Sequence, residues 1–252
     1  MKHIALMYHD VYVDDTKESG FETPGAVHYK ISKDVFLSHV KAISDFCYEK
    51  NISKEFVDFT FDDGGVSFYT VIAPVLEEYG WYGKFFISTK YIGTKGFLSE
   101  DQIRELRKRG HIIGSHSHQH RVLTEMPIEE VSNEIKKSIS ILSNVLNERI
   151  DIISIPNGSY SSKILKLLKG NGLKKIYTSN PSTKISRIGD ADLIGRYAIS
   201  YNTTSDFVLN ILSSPFLRFR FECKYRVLGF VKLIMGSYYS KIKTIIRKYL
   251  VK

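Results

Sequence analysis

The sequence predicts an α/β fold in which seven short parallel strands form a barrel wrapped by helices. Three observations predict it. Short apolar runs alternate along the chain with stretches of helical periodicity, the order that builds a parallel sheet covered by helices. The chain has 252 residues, 43% of them hydrophobic, enough for one large core, and α/β barrels commonly reach about this length as a single domain. Polar clusters follow several of the apolar runs directly, and in a parallel barrel the C-terminal ends of all strands share one face.

The first strand is expected over 3–8, leading into His9 and Asp10. Residues 11–29 have no periodicity and contain Asp14, Asp15, Gly20, Pro24 and Gly25, so they are expected to form a loop over the barrel mouth. Ser32 is placed to cap a helix over 33–49. A strand over 55–61 ends at Asp62 and Asp63, and a helix over 67–79 closes at Gly80. The strand 83–88 is followed by Ser99 and Gln102, the capping box of a helix that runs to 108 and closes at Gly110. The strand 111–114 leads into His116, His118 and His120, and a helix follows over 128–146. The strand 150–155 leads into Pro156 and Asn157, a helix covers 162–168, and strands over 174–178 and 192–199 complete the set. Residues 1–215 are therefore read as one catalytic domain.

The net charge of +9 is local. Residues 216–252 hold ten Lys or Arg and a single acid, Glu222, which accounts for the whole excess. Within this basic extension, Ile242, Ile245, Ile246, Tyr249 and Leu250 have helical spacing among Lys241, Lys243, Arg247, Lys248 and Lys252. That pattern fits a helix lying on an anionic membrane surface, and equally a terminal helix docked on the domain with a solvated basic face. Residues 217–227 alternate apolar and charged with period two, nominally a strand. No nucleic-acid motif accompanies the charge, and no apolar run is long enough to span a bilayer. Cys47 and Cys223 are too few for a disulfide framework or a thiolate metal site and are expected to be reduced. MKHIALMYHD reads as a strand rather than an export signal. The expected location is the cytoplasm, with peripheral contact at the inner face of the membrane through 216–252.

FTFDDGG (59–65) and GSHSHQH (114–120) carry the chemistry. In isolation the first also suits an Asp-Gly turn and the second a polar loop. If the extended geometry continues past the strand end, adjacent Asp62 and Asp63 point in opposite directions, so one carboxylate is free beside a metal held by the other. Two imidazoles four residues apart share an ion if the backbone is turned, while His118 between them points elsewhere. With Asp63, His116 and His120 give a two-His, one-carboxylate site with an open position for water, which suits Zn²⁺ without excluding other divalent metals.

TFDDG (60–64), with HS (116–117) followed by HRVLT (120–124), resembles the polysaccharide deacetylases of the NodB-homology type, carbohydrate esterase family 4, over roughly residues 1–200. The resemblance implies a distorted (β/α) barrel in which Asp62 is the general base and Asp63, His116 and His120 hold the metal. It implies removal of N-acetyl groups from an N-acetylated sugar in a polysaccharide or lipid-linked glycan precursor. The pattern departs from the family in two places. The third motif here is DIISIPNGSY, with no arginine ahead of Pro156 and with Asn157 where tyrosine is expected, although Gly158 is kept. The backbone N–H of Asn157 serves an oxyanion hole as well as that of a tyrosine, whereas the orientation of Asp62 by an arginine is put in question. No histidine follows His120. Tyr8, His9 and Asp10 instead resemble the early histidine context of circularly permuted members, which implies His9 as the general acid. Arg196, in LIGRYAI, is a candidate for contact with the substrate or a carboxylate. Two rivals stand beside this reading: an amidase of the same fold acting on a non-sugar C–N bond, and an inactive carbohydrate-binding relative.

Overall fold

The computed structural model describes residues 3–235, which divide into two compact units, the first ending at Ser213 and the second beginning at Ser214. The first unit runs β1 (Ile4–Tyr8), β2 (Val11–Tyr12), α1 (Pro24–Val27), β3 (Ile31–Ser32), α2 (Lys33–Glu49), β4 (Val57–Phe61), α3 (Ala73–Glu78) and β5 (Gly83–Ile87). It continues through α4 (Glu100–Lys108), β6 (Ile112–Ser115), α5 (Ile128–Leu146), β7 (Ile152–Ser154), α6 (Ser162–Gly170) and β8 (Lys175–Tyr177). It ends with β9 (Ser186–Ile188), β10 (Ala191–Ile194), β11 (Tyr197–Ala198) and α7 (Ser205–Ser213).

The helices start and stop where local chemistry dictates. The Ser32 hydroxyl accepts from the Val35 N–H at the head of α2, and Ser99 and Gln102 form the reciprocal capping box of α4. The helix expected over 67–79 is π-helical over Phe68–Ile72 before α3 begins. Pro74, which has no N–H to donate, sits in the first turn of α3 and removes one helical hydrogen bond there.

β1, β4, β5, β6, β7, β8 and β10 follow one another in parallel, with Leu6 opposite Phe59, Phe61 opposite Phe85, Phe86 opposite Gly114 and Ile176 opposite both Ile153 and Leu193. β11 lies parallel on the free side of β1, with Leu6 opposite Tyr197. Only Gly195 and Arg196 separate β10 from β11, so one short segment supplies the edge strand β11 and, next to the opposite edge, β10, and the sheet must curl to bring the two near each other. The strand expected over 192–199 is thus broken in two. β9 pairs antiparallel with β10, and the sheet counts nine strands where seven were expected. β9 is exposed and polar over Ser186 and Arg187, so it lacks the apolar alternation that marks a buried strand.

The side chains of Ala5, Phe86, Ile152, Tyr177 and Ile194 pack together as a buried cluster. The opposite face of β4 sends Phe59 and Phe61 outward, against Trp81 and Phe36 at centroid distances of 5.1 and 5.8 Å. Alternation along β4 therefore places Asp58, Thr60 and Asp62 on the other side, in line with the strand's C-terminal end.

The segment 11–29 is more ordered than a loop. Val11 and Tyr12 bridge in parallel to Ile31 and Ser32, and Thr23 caps α1. Buried Asp10 accepts from the hydroxyls of Ser19 at 2.5 Å and Ser67 at 2.8 Å. Lys30, also buried, donates to the carbonyls of Thr16 and Ser19. Gly65 is required beside this cluster: a Cβ there would lie 1.8 Å from Asp10 Oδ1. Segments this polar carry no periodicity, which is why the sequence hides their order.

In the second unit, α8 covers Pro215–Met235. The period-two stretch 217–227 is therefore helical, not a strand. Proline at the first position favours helix initiation, and the stretch contains neither glycine nor proline to end it. The helical pattern over 241–252 lies outside the described residues. Among the described residues, no helix is long and apolar enough to cross a membrane. Cys47 is buried, Cys223 is partly buried, and both are free thiols.

Candidate metal centre and active site

Every predicted site residue follows the C-terminal end of a barrel strand: His9 follows β1, Asp62 and Asp63 follow β4, His116 to His120 follow β6, and Asn157 follows β7. Six non-glycine residues among those described have positive φ, and four belong here: Asp63, Ser117, His120 and Asn157. Such backbone is uncommon and gathers where function fixes it.

Asp63, at φ 90°, does not continue the extended strand. The divergence of adjacent carboxylates expected from strand geometry is replaced by a turn, and both Asp62 and Asp63 end up buried with different partners. The chain after β6 is also turned. Ser117 accepts from the His120 N–H at 3.2 Å, which curls the segment so that His116 and His120 approach with ring centroids 5.0 Å apart. His118 faces away, with Nδ1 3.0 Å from the Thr89 hydroxyl.

One ligand atom from each of Asp63, His116 and His120 lies within 4.8 Å of the others. Asp63 Oδ1 is 3.4 Å from His116 Nε2 and 3.1 Å from His120 Nε2, yet this buried oxygen makes no well-aligned hydrogen bond. His116 Nδ1 lies 2.9 Å from the carbonyl of Ser154 and must donate to it. With that proton on Nδ1, the Nε2 atom that faces the carboxylate oxygen is the one left to ligate a metal. Two acceptors facing each other in a buried site call for a cation between them, and the backbone hydrogen bond on the far nitrogen is the usual means of fixing a metal-binding tautomer. The donor set fits a divalent metal. Burial alone would push the Asp63 carboxyl up, but the facing His116 and His120 rings hold it well below the usual carboxylate range. Burial likewise works against charge on His120, and Asp63 outweighs it, so its pKa is raised.

Asp62 has a different partner. Arg196 Nη1 and Nη2 donate to its two carboxylate oxygens at 2.7 Å each, and Arg196 is wholly buried. The guanidinium also donates to the hydroxyls of Thr60 (3.1 Å) and Ser154 (2.7 Å) and, through Nε, to the carbonyl of Thr178 (3.1 Å). It lies 5.6 Å from the ring of Phe86 and 5.9 Å from that of Tyr177. The Ser154 hydroxyl donates to Asp62 Oδ2 at 3.0 Å. Desolvation acts to raise the Asp62 pKa, and the adjacent Arg196 charge overcomes it, so the carboxylate stays ionised below its ordinary range.

Arg196 thus resolves the question left by DIISIPNGSY. Ser154 occupies the place, two residues ahead of Pro156, where an arginine is expected. Its small side chain leaves room for a guanidinium arriving from the break between β10 and β11. Ser154 was missed in the sequence, although its place two residues before Pro156 on the interior face of β7 was readable. It serves both halves of the site, with its carbonyl on His116 and its hydroxyl on Asp62.

His9 is partly buried, and its ring stacks on Tyr29 at 4.7 Å and 24°. Its Nδ1 is buried without a hydrogen-bond partner. Burial lowers its pKa, while the charges of Asp63 and then Asp62 work to raise it. His9 is accordingly within electrostatic reach of both carboxylates. Phe21, from the segment over the mouth, packs 5.1 Å from the His120 ring. Asn157 is exposed in a left-handed conformation immediately past β7.

A profile of the polysaccharide deacetylase family matches residues 49–176. YxkH of Bacillus subtilis strain 168, a protein named for polysaccharide deacetylation, is 30% identical over 166 residues, and the match spans 60% of this chain and 60% of that protein. The peptidoglycan-N-acetylmuramic acid deacetylase PdaA of the same organism is 26% identical over 137 residues, 54% of this chain and 51% of its own length. In three dimensions, the Streptococcus pyogenes deacetylase PplD superposes with a TM-score of 0.67 at 21% identity, covering 84% of this chain and 99% of that one. At this identity the superposition speaks for the fold.

Proposed function

Because the chain belongs to the polysaccharide deacetylase family, we propose that it is a metal-dependent hydrolase that removes the N-acetyl group from an N-acetylated sugar of a glycan. The observation that carries the reading is the approach of Asp63, His116 and His120 to within 4.8 Å of one another, with Asp62 held beside them by Arg196 and not by the metal-binding set. Relatives named for deacetylation of peptidoglycan and chitin support the substrate class.

Asp63, His116 and His120 hold the ion, and the mixed nitrogen and oxygen donors favour Zn²⁺. Bound there, a divalent metal supplies Lewis-acid polarisation of the acetamide carbonyl and of a water. Asp62 accepts the water proton. Its two oxygens are fixed by Arg196, which keeps the carboxylate ionised and aimed. The Asn157 N–H, at the turn after β7, donates to the oxyanion that develops on the carbonyl. His9, past the end of β1 and within electrostatic reach of both carboxylates, donates a proton to the departing amine. The inactive-relative reading drew its force from a missing arginine, and the grip of Arg196 on Asp62 removes that ground.

The test is incubation of the metal-loaded protein with N-acetylhexosamine oligomers, followed by measurement of free acetate and free amine. Release of both in equal amount is expected. Absence of acetate from sugar oligomers, together with hydrolysis of a non-sugar amide, would favour the amidase.

A further inference from the structure

One face of α8, in the second unit, presents large apolar side chains to solvent. Phe216, Phe219 and Val227 are 70%, 62% and 61% exposed. With Cys223 they recur at intervals of three, four and four residues, which aligns them in one strip along an α-helix. Arg220 and Lys224 border the strip on one side and Arg226 on the other. The Arg220 guanidinium reaches back over the Phe216 ring at 6.0 Å. Glu222, the only acid in 216–252, is paired with Arg226 at 2.6 Å.

Exposed aromatic rings in a row favour burial, and the cations along both margins restrict what can bury them. A second copy of the same strip would bring Arg220, Lys224 and Arg226 of two chains together, at a cost in like-charge repulsion. A nucleic-acid duplex would satisfy the cations and leave the rings in water, and a single strand, which could stack bases on Phe216 and Phe219, would leave Val227 uncovered. An anionic lipid surface satisfies both, since rings enter the boundary between headgroups and acyl chains while arginines and lysines lie among the phosphates. Over its described residues the helix is not long and apolar enough to cross a membrane, and an arrangement in the surface plane fits its one apolar strip.

We propose that α8 is a docking surface for an anionic bilayer, with Phe216, Phe219 and Val227 inserted and Arg220, Lys224 and Arg226 on the headgroups. This rests on the second unit alone and stands or falls apart from the deacetylase reading. The experiment is flotation of the full chain with vesicles of phosphatidylcholine, alone or mixed with phosphatidylglycerol. Co-flotation is expected only with the anionic vesicles and weakens as salt is raised. Phe219→Glu is expected to abolish it. Replacing Arg220 and Lys224 together by Gln should lower the partition coefficient by roughly thirty-fold, at about fivefold per charge. Unchanged far-ultraviolet dichroism and unfolding midpoint of the variants would exclude misfolding as the cause. No binding to anionic vesicles by the parent chain overturns the proposal, as does flotation of Phe219→Glu at the parent level. A dimer in sedimentation that Phe219→Glu dissolves would also overturn it, because a second copy would then cover the strip.

Discussion

Arg196 and Asp62 form a fully buried fork-to-fork pair, with two parallel hydrogen bonds of 2.7 Å between residues 134 positions apart. The pair fixes the orientation and charge of the proposed base. Arg196→Met leaves the Asp62 charge buried and unpaired, a change that typically costs about 3–5 kcal/mol. Arg196→Lys keeps a charge but loses the fork. Both should lower kcat by about 100-fold or more, with the Met variant also losing stability in urea and the Lys variant losing less. Full activity in Arg196→Lys would show that bidentate geometry is not needed.

Asp62 and the metal ligands are separable by measurement. Asp62→Asn is expected to keep its bound metal and lose roughly 100- to 10,000-fold in turnover, the range for a general base. His116→Ala should lose the metal itself, since it removes one of three donors along with its hydrogen bond to Ser154. Elemental analysis of the purified variants checks both, with acetate release as the second readout. Metal-free His116→Ala that hydrolyses at the parent rate would dissociate the triad from the reaction.

Much of this site was legible in the sequence because strand ends are legible. FTFDDGG and GSHSHQH each follow an apolar run, and a parallel barrel brings such ends to one face. Arg196 was readable only as a candidate, because its partner depends on the break between β10 and β11, and no local pattern announces a strand that changes neighbours. Ser154 carries no local signal of its role, which comes from two contacts, its carbonyl with His116 and its hydroxyl with Asp62. The clamp of Asp10, Ser19, Lys30 and Ser67 was invisible for a similar reason: it joins residues from a non-periodic segment to a strand end through side chains alone.

His9 tests whether the acid lies on β1. Its Nδ1 is buried and unpartnered, and its ring is held against Tyr29. His9→Ala should lower kcat for acetamide hydrolysis by roughly 100-fold or more with metal content unchanged. The loss should shrink for substrates whose leaving group needs no proton, such as an activated aryl ester. An equal loss on both substrate types would place His9 in binding or folding instead.

The last prediction concerns stability and pH. Burial raises the Asp10 carboxyl from its ordinary 3.8 to about 6, against the opposing pull of the Ser19 hydroxyl and of Lys30. A carboxyl whose pKa is higher in the folded chain than in the unfolded one favours folding when protonated. Its contribution is fully present below pH 3.8 and is lost as pH rises through about 6. The difference of about two units corresponds to roughly 3 kcal/mol. Other groups run the opposite way: His9, whose pKa burial lowers, resists protonation and weakens the fold in acid. The contribution of Asp10 is therefore read as a difference between the parent and Asp10→Asn, by urea unfolding at pH 4 and pH 7. The parent should lose stability relative to the variant across that interval, because the amide of the variant is neutral at both. A constant difference would mean that Asp10 titrates outside this window, with Lys30 and the two hydroxyls then holding it ionised throughout.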